Sequence, residues 1–523
     1  MPSSYRGGAG RVLALAGLSG LVAVTGVAFY GLIGFSGQVA DPGTLQDPYF
    51  YGILGFSLKQ AALSAGLSVL LGYPVARALY YLPGLWFRRT FLTLCLLCFV
   101  LPTLVLITGL VLLLGHSGRL APLLGADWNL YGLKGILLAH VFLNLPFVVR
   151  ALYLQLLHIP DTAWRLALQL GLPALTRWRL VEWPMVRGRL LVLGGFVFVL
   201  CFNSFAVVLA LGGGPQATTL ELAVYQALKY DFNLPEALTL AWVQFAIAGT
   251  LFVLLGRLGG SSWLVLEQGG DRVPVPGRWS RLGHGGVYLL CALFLLLPLL
   301  VLLPALADIP ASLRLAPLLQ ALLNSFLLAL ACVIPATLLA WLLLWPQRLA
   351  QLQQRPRRRQ LLEWLSTHTL AAPAMVLSVG WYVFVLPRLD LAQWGPVLVV
   401  LLNLVLTLPF ALQQLRPRLL QFDAQYAPLC AGLKLAWPER LALEWRWLGG
   451  SLRAAFALVL LLAMGDVAVF ALFGNEAWTT LPWLIYRYAA TYRMQEAALA
   501  SLLLLVVCGV LVWLLEQGRD GGA

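Results

Sequence analysis

Five histidines, seven cysteines and 21 acidic residues are spread over 523 positions, and their spacing offers little for catalysis. No Ser/His/Asp set, paired carboxylates or metal-ligand cluster stands at a working interval. Cys95 and Cys98 form a C-x-x-C without a second pair or nearby histidines, which favours packing over metal. There is no Gly-Lys pair anywhere, so the loop that cradles nucleotide phosphates is absent and the chain cannot hydrolyse ATP itself. The polar chemistry that remains lies inside apolar runs: Asp466, with Ser204 at its counterpart, and His140, Asn144, Asn203 and Asn403. An acid in such a place caps a helix, contacts a solute or binds a coupling ion. An isolated His or Asn there more often bonds a neighbouring helix. No catalytic residue, metal site or bound cofactor is expected.

The elements that hold these residues follow from composition. Hydrophobic residues make up 61%, charged residues 11%, and the mean hydropathy is +0.85. A soluble domain carries about 25% charged residues, so this chain needs lipid as its solvent. About twelve stretches approach the roughly 20 apolar residues of a spanning helix. They lie near 12–36, 57–81, 90–114, 134–157, 190–211, 236–257, 285–307, 317–345, 361–386, 395–415, 453–473 and 496–515. The fold class is an all-α integral membrane protein. The first stretch outruns a signal-peptide core and reads as an uncleaved anchor.

The net charge of +14 sets orientation. With the N-terminus inside and alternating spans, about 27 of the basic residues fall on the cytoplasmic side and roughly 8 opposite. Both termini are then cytoplasmic. The run Arg355, Arg357, Arg358, Arg359 is a topology anchor near anionic headgroups rather than a nucleic-acid patch.

The sequence also matches itself at a shift of about 261 residues. Ser64 falls on Ser325, Pro74 on Pro335, Gly171 on Gly432 and Thr219-Leu220 on Thr480-Leu481. Shifts of 262 and 263 bring Glu182-Trp183 onto Glu444-Trp445 and Pro146-Phe147 onto Pro409-Phe410, and a shift of 271 brings Pro102 and Gly109 onto Pro373 and Gly380, because the basic loop 346–360 is longer than its counterpart. Six spans per copy is an even number, so the copies are parallel. The expected division is a first repeat at 1–257, a cytoplasmic linker at 258–284 and a second repeat at 285–523. A pathway for a solute would run along the axis between them.

Two cytoplasmic loops, 159–189 and 416–453, are long and carry a helix-compatible stretch, a Gly that permits a sharp turn, and a basic-aromatic segment. They resemble the EAA loops of binding-protein-dependent (type I) ABC importer permeases, whose pattern is E-A-A-x3-G-x9-I-x-L-P. In the first, Arg165 stands at the Glu position, with Ala167, Gly171, Val181, Trp183 and Pro184 at the others. In the second, Tyr426 replaces the Glu, Ala427 and Gly432 fit, Glu444-Trp445 repeats the Glu182-Trp183 pair, the downstream segment is about one residue longer, and Arg446 stands where the proline would be. Segments 201–231 and 464–499, with their GGGPQATT and GDVAVFALFGN blocks, are similar to the thiamine-permease branch of that class. Fused iron(III) permeases share the layout.

The resemblance implies a bacterial inner-membrane permease subunit without bound cofactor. ATP would be used by a separate ATPase present in two copies on the loops. Thiamine, and its phosphate esters, would arrive from a periplasmic thiamine-binding protein. Asn203, Ser204, Asp466, Gln216 and Asn475 are the gate and pathway candidates, Asp466 because thiamine is cationic. An iron(III) or other small-solute importer of the same build, and a gradient-driven twelve-helix carrier, are the alternatives.

Overall fold

A computed structural model describes residues 8–33, 42–85, 87–125, 127–258, 277–307, 309 and 314–520. Among them the chain is helical, without strands. The first half contains α1 (Gly8–Leu32), α2 (Pro48–Tyr81), α3 (Arg88–Val100), α4 (Thr103–Leu114), α5 (Ala121–Leu124) and α6 (Leu133–Leu157). It continues through α7 (Asp161–Gln169), α8 (Ala174–Arg177), α9 (Trp183–Phe202), α10 (Phe205–Leu211), α11 (Leu220–Lys229) and α12 (Leu234–Leu258). The second half contains α13 (Arg278–Leu300), α14 (Leu315–Leu352), α15 (Pro356–Thr367), α16 (Ala374–Val385) and α17 (Leu391–Gly432). It ends with α18 (Trp437–Met464), α19 (Ala468–Phe473), α20 (Leu481–Ala490) and α21 (Met494–Asp520). Most of the expected linker, residues 259–276, and both chain ends lie outside the described residues.

Ten of the described helices are long and apolar enough to cross a membrane, or twelve if two bent pairs each count as one span. Those pairs correct the continuous spans expected at 90–114 and 361–386. α3 and α4 meet at 104°, and α15 and α16 at 83°. The breaks fall at Leu101-Pro102 and Ala372-Pro373, where the residue before each proline is extended. Proline disfavours the helical conformation of the residue preceding it. Two further breaks divide the spans expected at 190–211 and 453–473. They fall at Asn203-Ser204, between α9 and α10, and at Gly465–Val467, between α18 and α19.

The halves exchange their first helices. α1 packs on α14 and α16 of the second half, and α13 packs on α2 and α4 of the first. The same small residue makes each exchange possible. A β-carbon on Gly109 would lie 2.0 Å from the Pro298 carbonyl oxygen of α13, and one on Gly380 would lie 2.0 Å from the Ala28 carbonyl oxygen of α1. Small residues at crossings let backbones approach within van der Waals contact, which drives association in lipid. Thr25 Oγ1 meets His368 Nε2 at 3.0 Å and Trp381 Nε1 donates to the Val24 carbonyl at 3.0 Å, fixing the depth of α1.

The loop at 416–453 is not a separate element. α17 runs without interruption from Leu391 to Gly432 despite four internal prolines. Its extension is held by burial of Leu419, Phe422, Ala427 and Cys430, and packing re-satisfies backbone groups that proline frees. In the first half the same path is cut at Pro160, between α6 and α7.

Candidate coupling loops and transmembrane gate

Each loop is a helix, a tight turn and a second helix. α7 ends in a turn at Gly171 (φ +61°), where Gly171 N–H donates to Leu168 O and Leu172 N–H to Ala167 O. The second loop repeats this bond for bond, with Lys434 N–H to Ala431 O and Leu435 N–H to Cys430 O. Both are the two-bond helix ending that places its left-handed residue just past the helix. In the second loop that residue is Lys434 (φ +50°). Gly432, expected to make the turn, is instead the last residue of α17. Arg165 consequently corresponds to Pro428 rather than Tyr426.

Downstream of the turns the two loops differ again, by one residue. Residues 178–182 form a π-helical turn, with Trp183 N–H reaching back to Trp178 O. A π-turn absorbs one extra residue in an α-helix. From Gly171 to Glu182 the chain is therefore one residue longer than from Lys434 to Glu444, so the second loop's downstream segment is the shorter, not the longer.

Beyond each turn the returning helix carries a glutamate onto an arginine of its own half. Arg77 on α2 donates to Glu182 from Nε at 2.8 Å and Nη2 at 3.2 Å. Tyr73 OH donates at 3.4 Å and Tyr81 OH also bonds the carboxylate. In the second half Arg348 on α14 donates to both oxygens of Glu444 at 2.8 Å and to Asp423 at 2.6 and 2.7 Å. Arg440 lies 3.7 Å from Asp423, balancing two cations against two carboxylates, and Trp341 Nε1 donates to Glu444 at 2.9 Å. Arg77 is 28% exposed and Arg348 only 1%. In the sequence these arginines stand at the ends of apolar runs, where a basic residue reads as a marker of topology.

The remaining loop candidates divide by burial. Arg165, Gly171, Trp183, Pro184 and Gly432 face outward, while Val181, Tyr426 and Trp445 are half-buried. Ala167, Ala427 and Glu444 are buried, so their surfaces are spent inside the loop. Tyr426 lies between Phe422 and Trp447 at 5.5 and 4.9 Å, and Trp445 lies 6.0 Å from Trp341. The outward surface includes exposed leucines, Leu168, Leu170 and Leu175 on one loop and Leu429 and Leu433 on the other.

The gate candidates mark the two helix breaks. Asp466 accepts from Val469 N–H at 3.3 Å and Phe470 N–H at 3.2 Å, and Asn403 Nδ2 donates to it at 3.3 Å. It therefore starts the short α19 and ties it to α17. At the first break Asn203 and Ser204 are half-buried, and Asn203 Oδ1 is buried without a partner. Ser57 Oγ accepts from Leu220 N–H at 2.9 Å and Ser325 Oγ from Leu481 N–H at 2.7 Å, anchoring α11 and α20. The hydrogen bonds thus pair Ser57 with Ser325, not Ser64, which instead bonds His140 Nδ1 at 3.1 Å. Asn475 is structural, donating to Ala392 O at 2.7 Å and accepting from Trp478 N–H at 2.9 Å, while Gln216 is exposed on a short turn. Neither joins the breaks. Among the described residues no cluster of three metal-ligating side chains occurs.

No protein-family model matches the chain. It is 38% identical over 489 residues to the thiamine transport system permease protein ThiP of Escherichia coli, covering 91% of this chain and 90% of that one. The Salmonella typhimurium protein of the same name is 37% identical, with 90% of each chain covered. That of Haemophilus influenzae is 36% identical over 99% of this chain and 97% of its own. Identity at this level along nearly the whole length, on a multi-pass helical frame, places the chain in the ThiP family of transport permeases.

Proposed function

We propose that the chain is the permease subunit of an ATP-driven thiamine importer of a bacterial inner membrane. Residues 1–257 and 285–523 act as parallel repeats joined through a cytoplasmic linker at 258–284. Two copies of a separate ATPase dock on the two loops, and a periplasmic binding protein delivers thiamine, or its phosphate esters, to the opposite face near 212–230 and 474–494. The chain binds no cofactor and hydrolyses nothing. The observation that carries this reading is the pair of loops. Each presents exposed leucines outward while a glutamate behind its turn is tied to an arginine of its own half. A push on such a loop is transmitted to its helix bundle rather than absorbed, because the ionic contact couples them. Closure of the ATPase pair would then rock the halves and bend the chain at the breaks by Asn203-Ser204 and Asp466.

The test is ATP-dependent uptake of labelled thiamine by the complex of permease, ATPase and binding protein in proteoliposomes, with ferric iron as competitor. Uptake that needs ATP and ignores iron is expected. Competition by iron moves the chain to the iron(III) branch, and uptake without ATPase under an ion gradient overturns the importer assignment. Leu170→Glu and Leu433→Glu should each release the ATPase in a pull-down; undiminished association sinks the docking half of the reading.

A further inference from the structure

A cavity opens between the halves, walled by α3, α6 and α9 on one side and by α17 and α18 on the other. Its lining is unusual for a lipid-embedded bundle because phenylalanines from both halves converge on it. Phe99 and Phe147 stack at 4.9 Å with 22° between their planes, and Phe147 meets Phe196 at 5.4 Å. Phe410 comes from the second half. Phe147 and Phe410 each follow a proline, Pro146 and Pro409, and each is followed three residues later by a polar side chain that also lines the cavity. Here the halves part: the first supplies Arg150 and the second supplies Gln413. Arg150 Nη1 donates to the Leu92 carbonyl at 3.2 Å, which fixes its charge against the cavity wall.

Aromatic faces carry negative potential and hold permanent cations without a carboxylate; quaternary nitrogen is their best-known guest. Thiamine's thiazolium is such a cation, and its aminopyrimidine is a flat ring able to stack and to exchange hydrogen bonds with an amide. We propose that this cavity is a transit site for thiamine, with the thiazolium against the phenylalanine wall and Gln413 reading the pyrimidine. Arg150 is its specificity-determining residue. This rests on the thiamine-importer reading above. The arginine opposes the bound cation, so the site holds thiamine weakly, as a pathway must if it is to release what it admits. The same charge favours a ligand whose tail carries phosphate.

The experiment measures binding of labelled thiamine to the purified permease–ATPase complex without binding protein, and competition by thiamine monophosphate. Arg150→Gln should tighten thiamine binding about tenfold and weaken that of the monophosphate, by removal of one charge interaction in a low-dielectric site. Arg150→Lys keeps the charge and should behave as wild type, which a purely structural arginine bonded to Leu92 would not. A Phe147→Ala, Phe410→Ala double variant should lose thiamine binding while still assembling with the ATPase. Equal affinity ratios in wild type and Arg150→Gln, or no thiamine binding by either, overturn the proposal. A wild-type complex that binds and imports thiamine with an unchanged Arg150→Gln ratio refutes this site alone. Failure of the wild type to import thiamine refutes the importer reading beneath it.

Discussion

The two loops share a turn, a returning helix and an Arg–Glu contact, yet they are built to different stiffness. In the first half α6 stops at Pro160, α7 is a separate short helix, and a π-turn interrupts the return. In the second half α17 passes straight from the membrane into the loop, and α18 returns unbroken. The ionic contacts follow the same division. Arg77–Glu182 is ringed by tyrosines and open at one edge, whereas Arg348 is bonded on all sides by Asp423 and Glu444. Asp423 occupies the place that Pro160 holds in the first loop. The first loop thus has a helix break and an Arg–Glu pair where the second has a continuous helix and a buried network that includes Asp423. The second loop is a rigid lever and the first a jointed one.

Breaking the network should expose the difference most strongly. Arg348→Ala leaves buried Glu444 without a cation and Asp423 with only Arg440 at 3.7 Å, and should cost about 3–5 kcal/mol, the penalty for orphaning buried charge. Arg77→Ala leaves one carboxylate that keeps two tyrosine donors and should cost about 1–3 kcal/mol. Unfolding midpoints of the purified variants in one detergent measure both; an equal loss would show that the two contacts bear equal weight.

The exchanged first helices provide the part of the comparison where the halves should agree. Gly109→Ala and Gly380→Ala each drive a methyl into a carbonyl oxygen of the crossing helix, and each should cost about 1–3 kcal/mol through overpacking. A large difference between them, read by the same unfolding measurement, would mean that one exchange carries the assembly.

At the breaks the expected effects are smaller and fall on Asp466. Its carboxylate starts α19, and Asp466→Asn keeps one acceptor for the helix amides, so a loss of about 1 kcal/mol is expected from weakened capping. Thiamine uptake by that variant should stay close to wild type. Abolished uptake with intact assembly would make Asp466 a substrate contact instead.

Much of this was legible in the sequence, and the rest was hidden for identifiable reasons. Hydropathy located the membrane helices because burial in lipid demands long apolar runs. The larger shift of 271 that joins Gly109 to Gly380 reflects a shared task, the close crossing of an exchanged helix. What hydropathy cannot register is a change of direction within an apolar run, so the bends at Pro102 and Pro373 read as straight spans. A constant shift likewise cannot register where a helix ends, so the pattern that sets Gly432 on Gly171 hides the turn at Lys434. Arg348, Asp423 and Glu444 are far apart in sequence, and only the packing of α14, α17 and α18 brings them together.

That mistaken glycine gives the finest test of the comparison. At Gly171 an added β-carbon would meet no atom within 4 Å, so Gly171→Ala should cost only the left-handed backbone penalty, about 1 kcal/mol. Lys434 already pays that penalty at φ +50°, so Lys434→Gly should stabilise by up to about 0.5 kcal/mol after the extra chain entropy of glycine is subtracted. Opposite signs at equivalent positions would show the turns to be the same structure made from different residues. If Lys434→Gly destabilises instead, the lysine side chain contributes more than its backbone costs.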